Sequence, residues 1–359
     1  MVQERHHDGN LKTRCVRHGG ATRVKVARSS SQPFCFSASP MQTAIVTGGN
    51  SGLGYYCART IAAASPSWHV VIASRDRAKS ADAARSIVAE TNNPNVLAMD
   101  LDLGSLASVR SFDAEFDKRG GPPLKAIVCN AGVQIVSGIT YTPDGFETTF
   151  AVNHLGHFLL VNLLLRRIVA PARIVVVSSG THDPDQFTGM PKPIDIADPT
   201  SLAKPQPEAE AVSTAGRRAY TTSKLCNVMF SYELSRRLRA GGLDAISVNS
   251  FDPGLMPGTE LARDYGGVQR FLWYFALPVL RFIPGINSTR KSGTNLARLV
   301  LDPALENVSG MYFVGRNAVL SSKQSYDEQK AAKLWEASAA MVSLRPDETV
   351  LPPTLGATK

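Results

Sequence analysis

Cysteine is sparse in this 359-residue chain: Cys15, Cys35, Cys57, Cys129 and Cys226 lie far apart, with no C-x-x-C pair. That spacing argues against a disulfide framework or a structural zinc site. No His, Cys and carboxylate cluster stands out either, so no metal is expected. Charged residues are few, 19% against 43% hydrophobic, which excludes long disorder, collagen or coiled coil as the main architecture. Apolar runs are short as well. Phe271–Leu280 holds ten apolar residues between Arg270 and Arg281, whereas a bilayer-spanning helix takes about twenty. No transmembrane helix is expected, although residues 268–285 could rest on a membrane surface.

The first forty residues lack the apolar core of a secretory signal, which points away from secretion. After Asp8 they lack acid, while Arg14, Arg17, Arg23, Lys25 and Arg28 are followed by Ser29, Ser30, Ser31, Ser37 and Ser39. This is the composition of a plastid or mitochondrial transit peptide. A disordered extension, or a start at Met41, is the alternative and is compatible with the cytoplasm. Of the net charge of +9, +5 falls in residues 1–40 and leaves +4 for the rest. A body so mildly basic gives no reason to expect nucleic acid as a partner.

What is present from Thr43 onward is alternation. Short apolar runs, Thr43–Thr47, His69–Ala73, Val96–Met99, Ala126–Cys129, Arg173–Val177, Ile246–Phe251 and Met311–Val314, read as strands buried on both faces. Helix-length stretches such as Asp76–Thr91, Leu106–Lys118 and Phe146–Leu165 separate them. The expected fold is α/β: a single Rossmann-type, doubly wound parallel sheet of about seven strands with helices on both faces. One domain over residues 41–340 would follow the 1–40 extension and precede a tail at 341–359. Residues 180–219, rich in Pro, Asp and Ala, interrupt the pattern without a clear strand.

Thr47-Gly48-Gly49-Asn50-Ser51-Gly52-Leu53-Gly54 follows the first strand and opens into a helix. Glycines there permit a tight turn and close backbone approach to a pyrophosphate, and the helix N-terminus offers unpaired N–H groups. Dinucleotide binding is expected. At the end of the second strand, Ser74-Arg75 stands where an NAD enzyme usually carries an acid for the ribose 2′-OH. Arg75 suits a 2′-phosphate, so NADP(H) is favoured over NAD(H). Asp76 is read as a helix cap. Further on, Tyr220-Thr221-Thr222-Ser223-Lys224 begins a helix and puts Tyr220 and Lys224 on one face. A phenol needs a nearby cation to work as an acid–base group at neutral pH.

In order and spacing, these motifs resemble the short-chain dehydrogenase/reductase family over about residues 43–315. The resemblance extends to Asp102-Leu103, Asn130-Ala131-Gly132, Asn153, Ser178-Ser179 and Pro253-Gly254. Asn153-His154-Leu155-Gly156-His157-Phe158 and Ser223-Lys224-Leu225-Cys226-Asn227 are similar to the branch with retinol dehydrogenases and light-dependent protochlorophyllide oxidoreductase.

The resemblance implies a tetrad of Asn153, Ser179, Tyr220 and Lys224. Tyr220 would exchange the proton and Ser179 would hold the substrate oxygen. Lys224 would bind ribose and lower the phenol pKa, and Asn153 would hold a relay water. Gly48, Asn50, Ser51, Gly52, Leu53, Gly54, Arg75, Ala131, Gly132, Pro253 and Gly254 would border the cofactor. Asp102 and Leu103 would flank adenine, and Asn130 would bridge strands. Thr259 is a candidate for the carboxamide, and Ser178 is read as structural.

The expected reaction is hydride transfer between NADPH and a small hydrophobic carbonyl or alcohol. On that reading Phe271–Leu280, with Trp273 and Tyr274, would form either an apolar rim or a packing helix. Val128-Cys129-Asn130, Cys226-Asn227, the long insert and the Ser325–Glu336 tail lean towards protochlorophyllide reduction. The polar insert, with Phe187 its only aromatic, leans away. A dinucleotide-binding regulator without catalysis is a third alternative. Neither the natural substrate nor the oligomeric state is legible.

Overall fold

The computed structural model describes residues 40–205, 211–256 and 287–351. The 1–39 segment, Thr259, residues 268–285 with Trp273 and Tyr274, and 352–359 lie outside it. Eight strands form one sheet in the order β3-β2-β1-β4-β5-β6-β7-β8. They are β1 (Gln42–Thr47), β2 (Trp68–Ser74), β3 (Val96–Asp100), β4 (Leu124–Cys129), β5 (Ile168–Val177), β6 (Ile246–Asp252), β7 (Met311–Val314) and β8 (Asn317–Val319). The first seven are the seven read from sequence, all parallel. β8 is an addition: it turns back antiparallel along β7, and its three exposed residues carry no apolar pattern to announce it.

β1, β2 and β4 are largely apolar because both faces are covered, while β6 buries Ser247, Asn249, Ser250 and Asp252 among its apolar residues. On one face Ile45, Val71, Ile127, Ile174 and Val248 join a large core; on the other Ala44, Val46, Val70, Ile72 and Val128 join a second. The period-two side-chain alternation makes this division. α1 (Gly52–Ala64), α2 (Arg77–Thr91) and α6 (Thr289–Leu301) contribute to the second core; α3 (Leu106–Arg119), α4 (Thr148–Leu165), α5 (Val212–Ala240) and α7 (Glu328–Met341) contribute to the first.

Two helices depart from expectation. α5 starts at Val212, eight residues before Tyr220, inside the stretch read as an insert. Gly216 makes this possible: a Cβ there would collide with the Ile135 carbonyl, so only glycine lets the helix lie on that loop. α4 holds a π-turn at Ala151–Leu155, centred on Asn153. By length and apolarity α4 is the one helix among the described residues that could cross a membrane, but 94% of it is buried inside the protein. The packed chain also runs on past residue 340. Val342 and Leu351 are buried in the larger core, Glu348 pairs with Arg110, and Thr349 Oγ1 donates to Asn162 Oδ1 at 2.9 Å.

Candidate active site

The carboxyl ends of the parallel strands border a cleft of about 1150 Å³. A ligand cleft belongs there, where the strand order reverses between β1 and β4. Apart from Thr259, which lies outside the described residues, the expected cofactor residues line it: Gly48, Asn50 to Gly54, Arg75, Asp102, Leu103, Asn130 to Gly132, Pro253 and Gly254, together with Ser179, Tyr220 and Lys224.

The turn after β1 is built around close contact. Gly48 has φ +63°, and a Cβ on Gly54 would overlap the Gly48 carbonyl and Asn130 Nδ2. Asn130 Nδ2 donates to Thr47 O at 2.8 Å, bridging β4 to β1 as expected. Thr47 Oγ1 accepts from the amides of Asn130 and Ala131, both at 2.9 Å. Its hydrogen has two acceptors within reach, His157 Nε2 at 2.9 Å and Val128 O at 3.3 Å. His157 Nδ1 in turn lies 3.1 Å from the Asn153 carbonyl, and burial pulls this imidazole down to about 4, so it is neutral.

At the head of α1, Ser51 makes no capping hydrogen bond, whereas Asp76, Ser105, Ser288 and Asp327 cap their helices. The space beside Gly52 is open. Uncapped amides facing an open cleft are a cradle for a pyrophosphate. Asp76 accepts from Lys79 N at 3.0 Å, the cap expected of it. Arg75 is exposed on the rim, and Lys79, which the sequence did not single out, joins it there from the first turn of α2.

Tyr220 is 6% exposed and Lys224 4%. The Lys224 ammonium sits 5.5 Å from the Tyr220 ring centroid and donates to Val177 O at 3.3 Å. Burial lowers Lys224 to about 8, against the opposing pull of Asp252. Both serines of the pair border the cleft, but Ser178 is buried and its hydroxyl is spent on Lys224 O at 2.8 Å, whereas Ser179 is half-buried and its hydroxyl hydrogen is not so engaged.

Asn153 does not line the cleft. It is wholly buried behind it, with Nδ2 donating to Val133 O and Ser223 Oγ and Oδ1 accepting from Val133 N. Its Oδ1 and Lys224 Nζ both crowd Gly132, where a Cβ would lie 3.3 and 3.6 Å from them. Cys129 and Cys226 are core residues whose thiols burial pushes well up, and neither reaches the cleft. Across the open end, Phe187 stands fully exposed, with Met190, Leu255 and Arg217 nearby on the lining. Among the described residues no group of His, Cys and carboxylates could hold a metal.

A family model described as short chain dehydrogenase matches residues 42–189. A WW domain-containing oxidoreductase of Danio rerio is 36% identical over 347 residues, covering 96% of this chain and 75% of that one. The chain belongs to the short-chain dehydrogenase/reductase family. Protochlorophyllide reductase of Chlamydomonas reinhardtii is also 36% identical, over 320 residues, covering 84% and 78%, so the branch expected from the Asn153 and Ser223 motifs holds. Among solved structures, an uncharacterised protein from Mycobacterium Paratuberculosis superposes with TM-score 0.62 at 28% identity, covering 87% of this chain and 96% of that one. A blue fluorescent protein from a metagenomic library, solved with NADPH, shares the fold at TM-score 0.56 and 21% identity, covering 78% and 99%. This short-chain dehydrogenase/reductase is thus an oxidoreductase on a Rossmann-type sheet.

Proposed function

We propose that this short-chain dehydrogenase/reductase moves hydride between NADP(H) and a small hydrophobic carbonyl or its alcohol, with Tyr220 exchanging the proton. The observation that carries this is one cleft, lined at one end by the uncapped glycine turn and further along by Tyr220, Lys224 and Ser179. A nicotinamide, when bound, supplies or accepts the hydride. The remaining work falls to side chains. Tyr220 holds a proton for the substrate oxygen, and the buried Lys224 cation favours its phenolate form. Ser179 offers a hydroxyl to the same oxygen. Asn153 braces Val133 and Ser223, which keeps the catalytic stretch of α5 against the loop after β4. Arg75 and Lys79 supply positive charge for a 2′-phosphate.

Light-driven reduction of protochlorophyllide is the second reading, supported by the relatives of that name at 33 to 36% identity. The buried Cys226 and the short Gln186–Met190 lip, with Phe187 its only aromatic, do not favour it. A regulator that only binds dinucleotide is disfavoured by the assembled Tyr220, Lys224 and Ser179.

The deciding experiment offers NADPH or NADH with a panel of hydrophobic aldehydes and ketones, and NADPH with protochlorophyllide in darkness and then under light. Turnover of a carbonyl, abolished by Tyr220→Phe, is the expected result. Chlorophyllide formed only under light would transfer the assignment to the pigment. Nucleotide binding without any turnover would make the chain a regulator, and a Tyr220→Phe enzyme of full activity would remove the proton donor.

A further inference from the structure

We propose that His182 is a positioning residue for Ser179: its imidazole, clamped between two main-chain groups, sets the serine turn against the C-terminal segment. This rests on Ser179 being the hydroxyl that binds the substrate oxygen. After Ser179 the chain makes a single 3₁₀ turn, Gly180–His182, and buries the His182 ring completely. Nδ1 lies 2.7 Å from the Ser179 carbonyl oxygen, and Nε2 accepts from the Ser322 amide at 3.0 Å. An amide N–H can only donate and a carbonyl can only accept. Nε2 is therefore bare, Nδ1 carries the hydrogen, and the ring is neutral in one tautomer.

Anchoring its carbonyl holds Ser179 in its extended conformation, φ −168° and ψ 150°, with Oγ accepting from Thr181 N at 3.3 Å. The hydroxyl hydrogen remains available to the cleft that Ser179 lines. The ring also rests on Tyr312, centroids 5.0 Å apart. Tyr312 donates to Asp252 Oδ2 at 3.2 Å, and Asp252 Oδ1 accepts from Gly254 N at 2.8 Å. One imidazole thus joins the turn after β5, the turn after β6 and the segment after β8. Of the titratable groups facing it, Asp183 and Asp252 pull its pKa up, yet burial prevails and lowers it, in keeping with the neutral ring.

Three substitutions separate positioning from packing. His182→Asn places an N–H near the Nδ1 position and keeps the bond to the Ser179 carbonyl. His182→Gln reaches the Nε2 position and keeps the Ser322 bond alone. His182→Phe keeps a ring and loses both bonds. The assay is NADPH binding by fluorescence, with kcat and KM on a hydrophobic carbonyl that the wild type reduces.

We expect NADPH affinity to hold within about twofold while kcat falls roughly 10- to 100-fold in the Gln and Phe variants, the scale of a misplaced reacting group. KM should change less, and Asn should restore most of kcat. Combining Ser179→Ala with His182→Phe should be hardly slower than Ser179→Ala alone, since both remove one function. A lowered Tm with kcat intact, or equal losses in the Asn and Phe variants, would overturn the proposal. If His182→Phe fails to fold, the Asn and Gln pair decides on the same terms. Full activity in Ser179→Ala would show instead that the underlying assignment of the serine is wrong.

Discussion

Gly54→Ala tests the cofactor turn most directly. The added methyl would lie 2.9 Å from the Gly48 carbonyl carbon and closer still to its oxygen and to Asn130 Nδ2. Ordinary carbon contacts are about 3.5 to 4.0 Å, so atoms must move by roughly an ångström. Two of the obstacles are main chain, and Asn130 Nδ2 is tied to Thr47 O. The turn itself therefore has to give. Overpacking of this kind costs about 1–3 kcal/mol of stability. The same shift misplaces the amides that would meet a pyrophosphate, and charge-assisted hydrogen bonds are worth about 1.5–3 kcal/mol each. Losing one weakens NADPH binding by roughly 10- to 100-fold. Fluorescence titration with NADPH, alongside thermal unfolding, measures both effects. Gly120→Ala is the control: φ is +62° with no atom near the added methyl, and the turn lies between α3 and β4. With ψ at −166° it should cost about 1–3 kcal/mol through backbone strain and leave binding unchanged. If Gly54→Ala binds NADPH as tightly as Gly120→Ala, the close-packed turn is not the nucleotide site.

Lys224 ionises near 8 in the folded protein, so NADPH affinity should fall as pH rises through that value. Stability should move the other way: the unfolded chain keeps this proton to a higher pH, so Lys224 favours folding increasingly from about 8 towards its unfolded value. A flat binding profile would refute the role of its charge. Arg75→Ala should raise the NADPH Kd roughly tenfold or more with little change for NADH, more clearly at low salt; equal losses would refute a 2′-phosphate contact. Trp335→Ala removes an indole that meets Phe158 at 4.8 Å and the Arg237 guanidinium at 4.6 Å. It should destabilise the protein by about 3–5 kcal/mol in denaturant unfolding, and a cost below about 1 kcal/mol would show that α7 is not part of the folded core.

The parallel sheet was legible because strands buried on both faces are rich in apolar, β-branched residues, as in the run Thr43–Thr47. The glycine turn was legible for a local reason too, since Gly48 and Gly54 are needed by backbone geometry next to that strand. Tyr220 and Lys224 could be paired because one helical turn places them on one face. Other features depended on distant partners. The need for glycine at 216 follows only from the Ile135 carbonyl beneath it. β8 exists only because β7 offers it an edge. Asn153 reads as the holder of a relay water, and only the π-turn shows that it sits behind the cleft wall, braced on Val133 and Ser223. His182 lies in a polar, proline-rich stretch with no periodicity, and its partner Ser322 is 140 residues away.

Sequence by itself determined the order of strands and helices, the nucleotide turn and the phenol–ammonium pair, because each follows from contacts within a few residues of chain. Only the tertiary structure decided where the Ser178 hydroxyl is spent, which histidines are clamped neutral, and what covers α4 and α5. Those outcomes depend on burial and on hydrogen-bond partners far along the chain, and neither is encoded in any local pattern.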